Sequence, residues 1–162
     1  MQVRPVAEED AEAVVRIWTE AYTGPGKDGR TKPYELLEFF EFTRDGRCFV
    51  AVEAGEVVGV VIFRSPRSSG MAVAEGEEAE LSRLAVAERA QRAGVGRALV
   101  DLCTELASEC GAEAIALWSR PYQLEAHRLY ESVGYRRQPH RDRDDEAARR
   151  LVFRLPVDRL AP

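Results

Sequence analysis

Gln91-Arg92-Ala93-Gly94-Val95-Gly96 joins two stretches of different periodicity. Upstream, Ala79 to Val86 reads as a strand. Downstream, Val95, Ala98, Leu99, Leu102, Cys103 and Leu106 recur on one helical face, and Gly111 stops that helix. Glycines at such a junction let the chain turn sharply and present successive backbone N–H groups at a helix N-terminus. With the helix dipole behind it, a nest of this kind holds phosphate oxygens, and Arg92 and Arg97 add positive charge at its rim. A tight turn that merely starts a helix fits the same residues. Two familiar phosphate loops are excluded. Leu99 stands where G-x-G-x-x-G needs its third glycine, and no G-K-[ST] follows.

Working outward, Val3 to Val6 reads as a first strand, followed by a helix carrying Ala11, Val14, Val15, Trp18 and Tyr22 on one face. Thr23 to Gly29 is a loop, and Pro33 suits the first turn of a helix through the aromatic segment Tyr34 to Phe42. Cys48 to Glu53 and Val57 to Arg64 form a hairpin across Ala54-Gly55-Glu56. Ser65 to Gly76 reads as a flexible connection. Ala112 to Ser119 is a buried strand, and Leu124 to Val133 a helix closed by Gly134. Tyr135 to Gln138 and Arg149 to Leu155 are two final strands, with a charged loop, Pro139 to Ala148, between them. The order β-α-α-β-β-β-α-β-α-β-β indicates an α/β domain with a mixed sheet, and no repeat or linker divides residues 1–162.

Composition narrows the function. Hydrophobic residues make up 45% and charged residues 31%, a globular mixture. The net charge of −5 argues against a nucleic-acid binder, whose affinity rests on neutralising phosphates. The longest apolar run, Val57 to Phe63, is far shorter than the ~20 residues of a membrane helix. No secretion signal follows Met1, so a cytoplasmic location is expected. Cys48, Cys103 and Cys110 cannot all pair and show no ligand spacing with His127 or His140, so free thiols and no metal site are expected.

Gln91-x-x-Gly94-x-Gly96, preceded by Leu84-Ala85-Val86, resembles the Q/R-x-x-G-x-G/A signature of the GNAT superfamily of N-acetyltransferases. Ala126-His127-Arg128-Leu129-Tyr130-Glu131-Ser132-Val133-Gly134-Tyr135 resembles that family's A-x-x-L-Y-x-x-x-G-[FY] helix. The resemblance implies a single domain over 1–162 with a mixed, mostly antiparallel sheet of about seven strands and about four helices, splayed at its two central strands. It implies acetyl-CoA as donor. The main chain of Leu84, Ala85 and Val86 would pair with the pantetheine arm, and the N–H groups of Arg92, Ala93, Gly94, Val95, Gly96 and Arg97 would hold the pyrophosphate. Gln123 stands where the family often has Asn against the pantetheine.

The implied chemistry needs a proton acceptor for the amine, an oxyanion donor and an acid for the departing thiolate. Tyr130 is the expected acid by its place in the motif. Glu80, fourteen residues before Gly94, matches the strand glutamate that serves as base in the histone-acetyltransferase branch. A water held by Ser82 and Ser119 is the alternative base. Leu84 or Val86 N–H is the expected oxyanion donor. Trp18, Tyr22, Tyr34, Phe39, Phe40, Phe42, Trp118 and Tyr122 read mainly as core, with some lining an acceptor slot. The acidic run Glu75 to Glu80 would draw a cationic amine, and Arg141 to Glu146 reads as a solvated loop. A small-molecule or peptide amine is the expected acceptor, and a homodimer the expected assembly. The competing readings are a non-catalytic acyl-CoA-binding module and a transferase for longer acyl chains.

Overall fold

In a computed structural model, which describes residues 1–27 and 30–158, the strands are β1 (Gln2–Pro5), β2 (Arg47–Glu53), β3 (Glu56–Arg64), β4 (Glu78–Val86), β5 (Ala114–Ser119), β6 (Arg136–Arg137), β7 (Arg143–Asp144) and β8 (Arg149–Pro156). The helices are α1 (Ala11–Tyr22), α2 (Leu36–Arg44), α3 (Val95–Glu109) and α4 (Leu124–Ser132). The expected element order holds, with β7 added inside the late charged loop. Of the loop expected at Thr23 to Gly29, Asp28 and Gly29 lie outside the described residues.

The sheet runs β1-β2-β3-β4-β5-β8-β6, with β7 beside β8, and every neighbouring pair is antiparallel except β4 and β5. Alternation along the strands sends side chains to two cores. Phe49, Ala51, Val61 and Phe63 meet α3 residues Leu99 and Cys103 on one face. Val50, Val60 and Ile62 meet Val14, Ile17 and Trp18 of α1 on the other.

Two irregularities in β4 position the site. Val60 faces Ala85 while Ile62 faces Ser82, so two steps along β3 match three along β4. The extra residue is a β-bulge, and Arg83 sits in it at φ +49°, in the left-handed region that non-glycine residues rarely adopt. β4 and β5 also pair only from Glu78–Ala114 to Glu80–Ala116, although β4 continues to Val86 and β5 to Ser119. Beyond Glu80 the two central strands splay, as the resemblance implies.

The structure corrects several local expectations. Pro33 lies outside α2, which begins after Glu35; the Glu38 carboxylate reaches back to the Glu35 N–H and caps the helix there. The segment read as a flexible connection is tied down, because the N–H groups of Ala72, Val73 and Ala74 converge on the Glu80 carboxylate at 2.7–3.1 Å. The loop read as solvated is also anchored. Arg141 pairs with Glu78 at 2.8 Å, Asp142 with Arg137 at 2.7 Å and Asp145 with Arg120 at 2.7 Å. Among the described residues, no helix is long and apolar enough to cross a membrane.

Candidate active site

The larger groove beside β4 is built mostly from backbone. Ala87 donates its N–H to Val58 of β3, so strand alternation turns the polar groups of Leu84 and Val86 away from β3, toward the opened edge. That edge leads to the glycine turn. Gly94 has φ +84° and carries no penalty there for lack of a Cβ. The N–H groups of Val95, Gly96 and Arg97 open α3, where no intrahelical acceptor exists for them. At Gly96 a Cβ would lie 3.1 Å from Leu129 Cδ2, so glycine lets α3 begin close against α4. The resulting groove encloses about 650 Å³. Leu84, Ala85, Val86, Arg92, Gly94, Val95, Gly96, Arg97 and Gln123 all line it; Ala93 does not. The rim arginines are exposed and already paired, Arg92 with Glu125 at 3.0 Å and Arg97 with Asp101 at 3.6 Å.

A smaller cavity of about 130 Å³ adjoins the groove, and Tyr22, Leu84, Tyr122 and Gln123 line both. The Tyr22 hydroxyl donates to the Leu84 carbonyl, which fixes the ring at the junction. Gln123 Oε1 accepts from Arg120 N–H at 2.7 Å and from Ser119 Oγ at 2.9 Å, which fixes the side chain at the end of β5. His127 Nε2 lies 3.1 Å from the same Ser119 Oγ, and burial holds its ring below the usual histidine range. Tyr130 and Ser82 also line the cavity. Tyr130 is 5% exposed, and burial pushes its phenol above the ordinary tyrosine value, so it keeps its proton at neutral pH.

Glu80 occupies a different place. It is 1% exposed at the last β4–β5 pair, lines neither the groove nor the smaller cavity, and accepts all three N–H groups of the 72–74 turn. The rest of the acidic run is engaged elsewhere: Glu77 with Arg67, and Glu78 with Arg141 and Arg154. The cavity wall is cationic instead, carrying Arg30, Arg83 and Arg120. Sequence reasoning missed all three. Of the aromatic set, Tyr22, Tyr34, Trp118 and Tyr122 line the cavity, Trp18 and Phe39 are core, and Phe40 is exposed.

The thiols stand apart. Burial pushes Cys48 and Cys103 up to about 12, Cys110 is exposed, and none of the three lines the groove or the adjoining cavity.

Residues 11–135 match the model of the acetyltransferase (GNAT) family. N-acetylaspartate synthetase of Rattus norvegicus is 34% identical over 101 residues, covering 62% of this chain and 31% of that protein. The Danio rerio protein of the same name is 32% identical over 102 residues, covering 62% and 34%. The chain thus spans about a third of the length of these curated relatives. Among solved structures, ribosomal-protein-alanine N-acetyltransferase from Brucella melitensis superposes with a TM-score of 0.73 at 20% identity, over 97% of this chain and 100% of that one. A phosphinothricin acetyltransferase of the GNAT superfamily from Sinorhizobium meliloti, solved in complex with acetyl-CoA, superposes with a TM-score of 0.75 at 15% identity, over 97% and 88%. At these identities the structural likeness establishes the fold.

Proposed function

The chain belongs to the GNAT acetyltransferase family, and on that footing we propose that it transfers the acetyl group of acetyl-CoA directly to a primary amine of a small molecule or peptide. The observation that carries this reading is the opened β4 edge at Leu84–Val86, which runs into the amide-lined start of α3 and meets a second cavity beside Tyr130. The groove suits a long, anionic, partly peptide-like donor at both ends, with strand edge for the arm and helix N-terminus for the phosphates.

When bound, acetyl-CoA supplies the thioester: the amine nitrogen forms the new C–N bond, the C–S bond breaks with its electron pair on sulfur, and one proton passes from nitrogen to sulfur overall. The chain's residues divide that work. Gly94 to Arg97 hold phosphate oxygens through N–H groups, and Gln123 offers its amide nitrogen to the arm. Leu84 or Val86 N–H steadies negative charge on the carbonyl oxygen. Tyr130 keeps its proton and donates a hydrogen bond to the departing sulfur, whose ordinary pKa is about 8.5 by analogy with cysteine. Proton removal from the amine goes to water between Ser82 and Ser119, both on the cavity wall, while Glu80 anchors the 72–74 turn. None of the three thiols lines the groove or the adjoining cavity, which supports direct transfer over a cysteine-borne intermediate. Free thiols also accord with a reducing cytoplasm.

Release of CoA thiol from acetyl-CoA, dependent on added amine, tests the activity. Amine-dependent release is the expected result. Stabilisation by acetyl-CoA with no release across a broad amine panel would support the binding-module reading instead.

A further inference from the structure

We propose that the acceptor is a small amino acid, a primary amine bearing a carboxylate, and that Arg83 receives the carboxylate. The inference rests on the reading of the smaller cavity as the acceptor side of an acyltransferase. Its wall carries Arg30, Arg83 and Arg120 and, among the described residues, no Asp or Glu. Two of these cations are already balanced. Glu38 takes Arg30 through both guanidinium nitrogens at 2.5 and 2.6 Å, and Asp145 takes Arg120 at 2.7 and 3.0 Å. Arg83 differs. Its guanidinium lies 3.7 Å from the Phe42 ring centroid, its buried Nε has no hydrogen-bond partner, and no carboxylate among the described residues bonds to it.

A guanidinium is always cationic at neutral pH and is costly to bury without an anion. Arg83 carries a second cost at the same place, the left-handed backbone of the bulge. Backbone strain and a guanidinium with no hydrogen-bonded anion among the described residues, at one cavity-lining position, mark a place held for a ligand. The bulge supplies the means, since an extra residue re-aims the side chain that follows the strand's alternation. A planar guanidinium matches a carboxylate in geometry and in charge. The cavity volume of about 130 Å³ suits a small amino acid better than a peptide. The acidic run Glu75 to Glu80 is engaged with Arg67, Arg141, Arg154 and backbone N–H groups and does not line the cavity, so no carboxylate there meets a polyamine.

Binding to CoA-saturated protein tests the inference without requiring turnover. The probes are the proteinogenic amino acids, each against its own carboxamide, with putrescine as a dication. For at least one amino acid, calorimetry is expected to show affinity tenfold or more above that of its carboxamide. Arg83→Gln should bring the two within about twofold, and Arg83→Lys should keep part of the gap; both should retain the acetyl-CoA-induced thermal shift. Carboxamides or putrescine binding as well as any amino acid, an Arg83→Gln loss equal for acid and amide, or no detectable amino acid binding at the millimolar end of the affinity scale, would each overturn it. Thiol release with the same compounds separates the two readings. Arg83-dependent binding with no turnover would remove the transferase and keep the carboxylate site; turnover without carboxylate preference would do the reverse.

Discussion

The groove proposed for the donor and the cavity proposed for the acceptor share Tyr22, Leu84, Tyr122 and Gln123, yet they are made of different material. The groove is a property of backbone: an opened strand edge, a left-handed glycine and the first N–H groups of α3. The cavity is a property of side chains brought from α1, the segment before α2, β4 and its bulge, the end of β5 with the turn that follows it, and the last turn of α4. Backbone sites tolerate side-chain change and fail when a Cβ intrudes. Side-chain sites do the opposite, and can be retuned one residue at a time without disturbing the donor.

That contrast ranks the expected effects. Gly94→Glu should have the largest. No atom lies within 4 Å of the position a Cβ would take, so the fold should survive with a left-handed strain of roughly 1–2 kcal/mol. Bulk and charge at the phosphate nest should still abolish acetyl-CoA stabilisation; unchanged stabilisation would detach the glycine turn from donor binding. Tyr130→Phe comes next, with kcat reduced about 100-fold and acetyl-CoA affinity held, as loss of an acid implies. An unaltered kcat would remove the phenol from the chemistry.

Glu80→Gln probes a residue outside both regions, at the last pair before β4 and β5 part. An amide nitrogen facing the converging N–H groups of 72–74 should cost about 1–3 kcal/mol of stability, read as a lower melting temperature. The acidic limb of the pH–rate profile should stay in place; a displaced limb would return the base role to Glu80. The smallest effect belongs to Asp145→Asn. Arg120 would lose its partner on the cavity wall, raising acceptor KM about threefold to fivefold with donor KM unchanged. An equal rise in donor KM would erase the division between the two sides. The Arg120 hydrogen bond holds the Asp145 carboxyl well below the usual carboxylate range. A depressed carboxyl contributes stability above its unfolded value, and that contribution is lost as pH falls through the folded value. Asp145 should therefore matter to stability above about pH 4 and progressively less below it, and the Asn variant should show a flatter acid melting curve.

Legibility followed the same divide. Gly94 and Gly96 could be read because a left-handed turn and a close helix contact both favour glycine, and Tyr130 because its place in the A-x-x-L-Y-x-x-x-G-[FY] resemblance singles it out from an otherwise ordinary apolar face. Arg83 could not. Its role depends on one extra residue in β4, and a bulge leaves no mark in a strand's composition. Glu80 read as a base, by its match to the strand glutamate of the resembled family, since nothing in Ala72-Val73-Ala74 reveals that their N–H groups converge on it. The charged loop looked solvated for a similar reason: Arg141 meets Glu78, and Asp145 meets Arg120, across large sequence separations. Backbone chemistry is written locally, whereas a side-chain pocket is assembled by topology.

The central claim is that the opened strand edge and the glycine turn together bind acetyl-CoA. A thermal-unfolding titration of the protein with acetyl-CoA tests it most directly. At a hundredfold excess over the dissociation constant the account predicts stabilisation of about 2.7 kcal/mol. No change in unfolding at millimolar acetyl-CoA would contradict it.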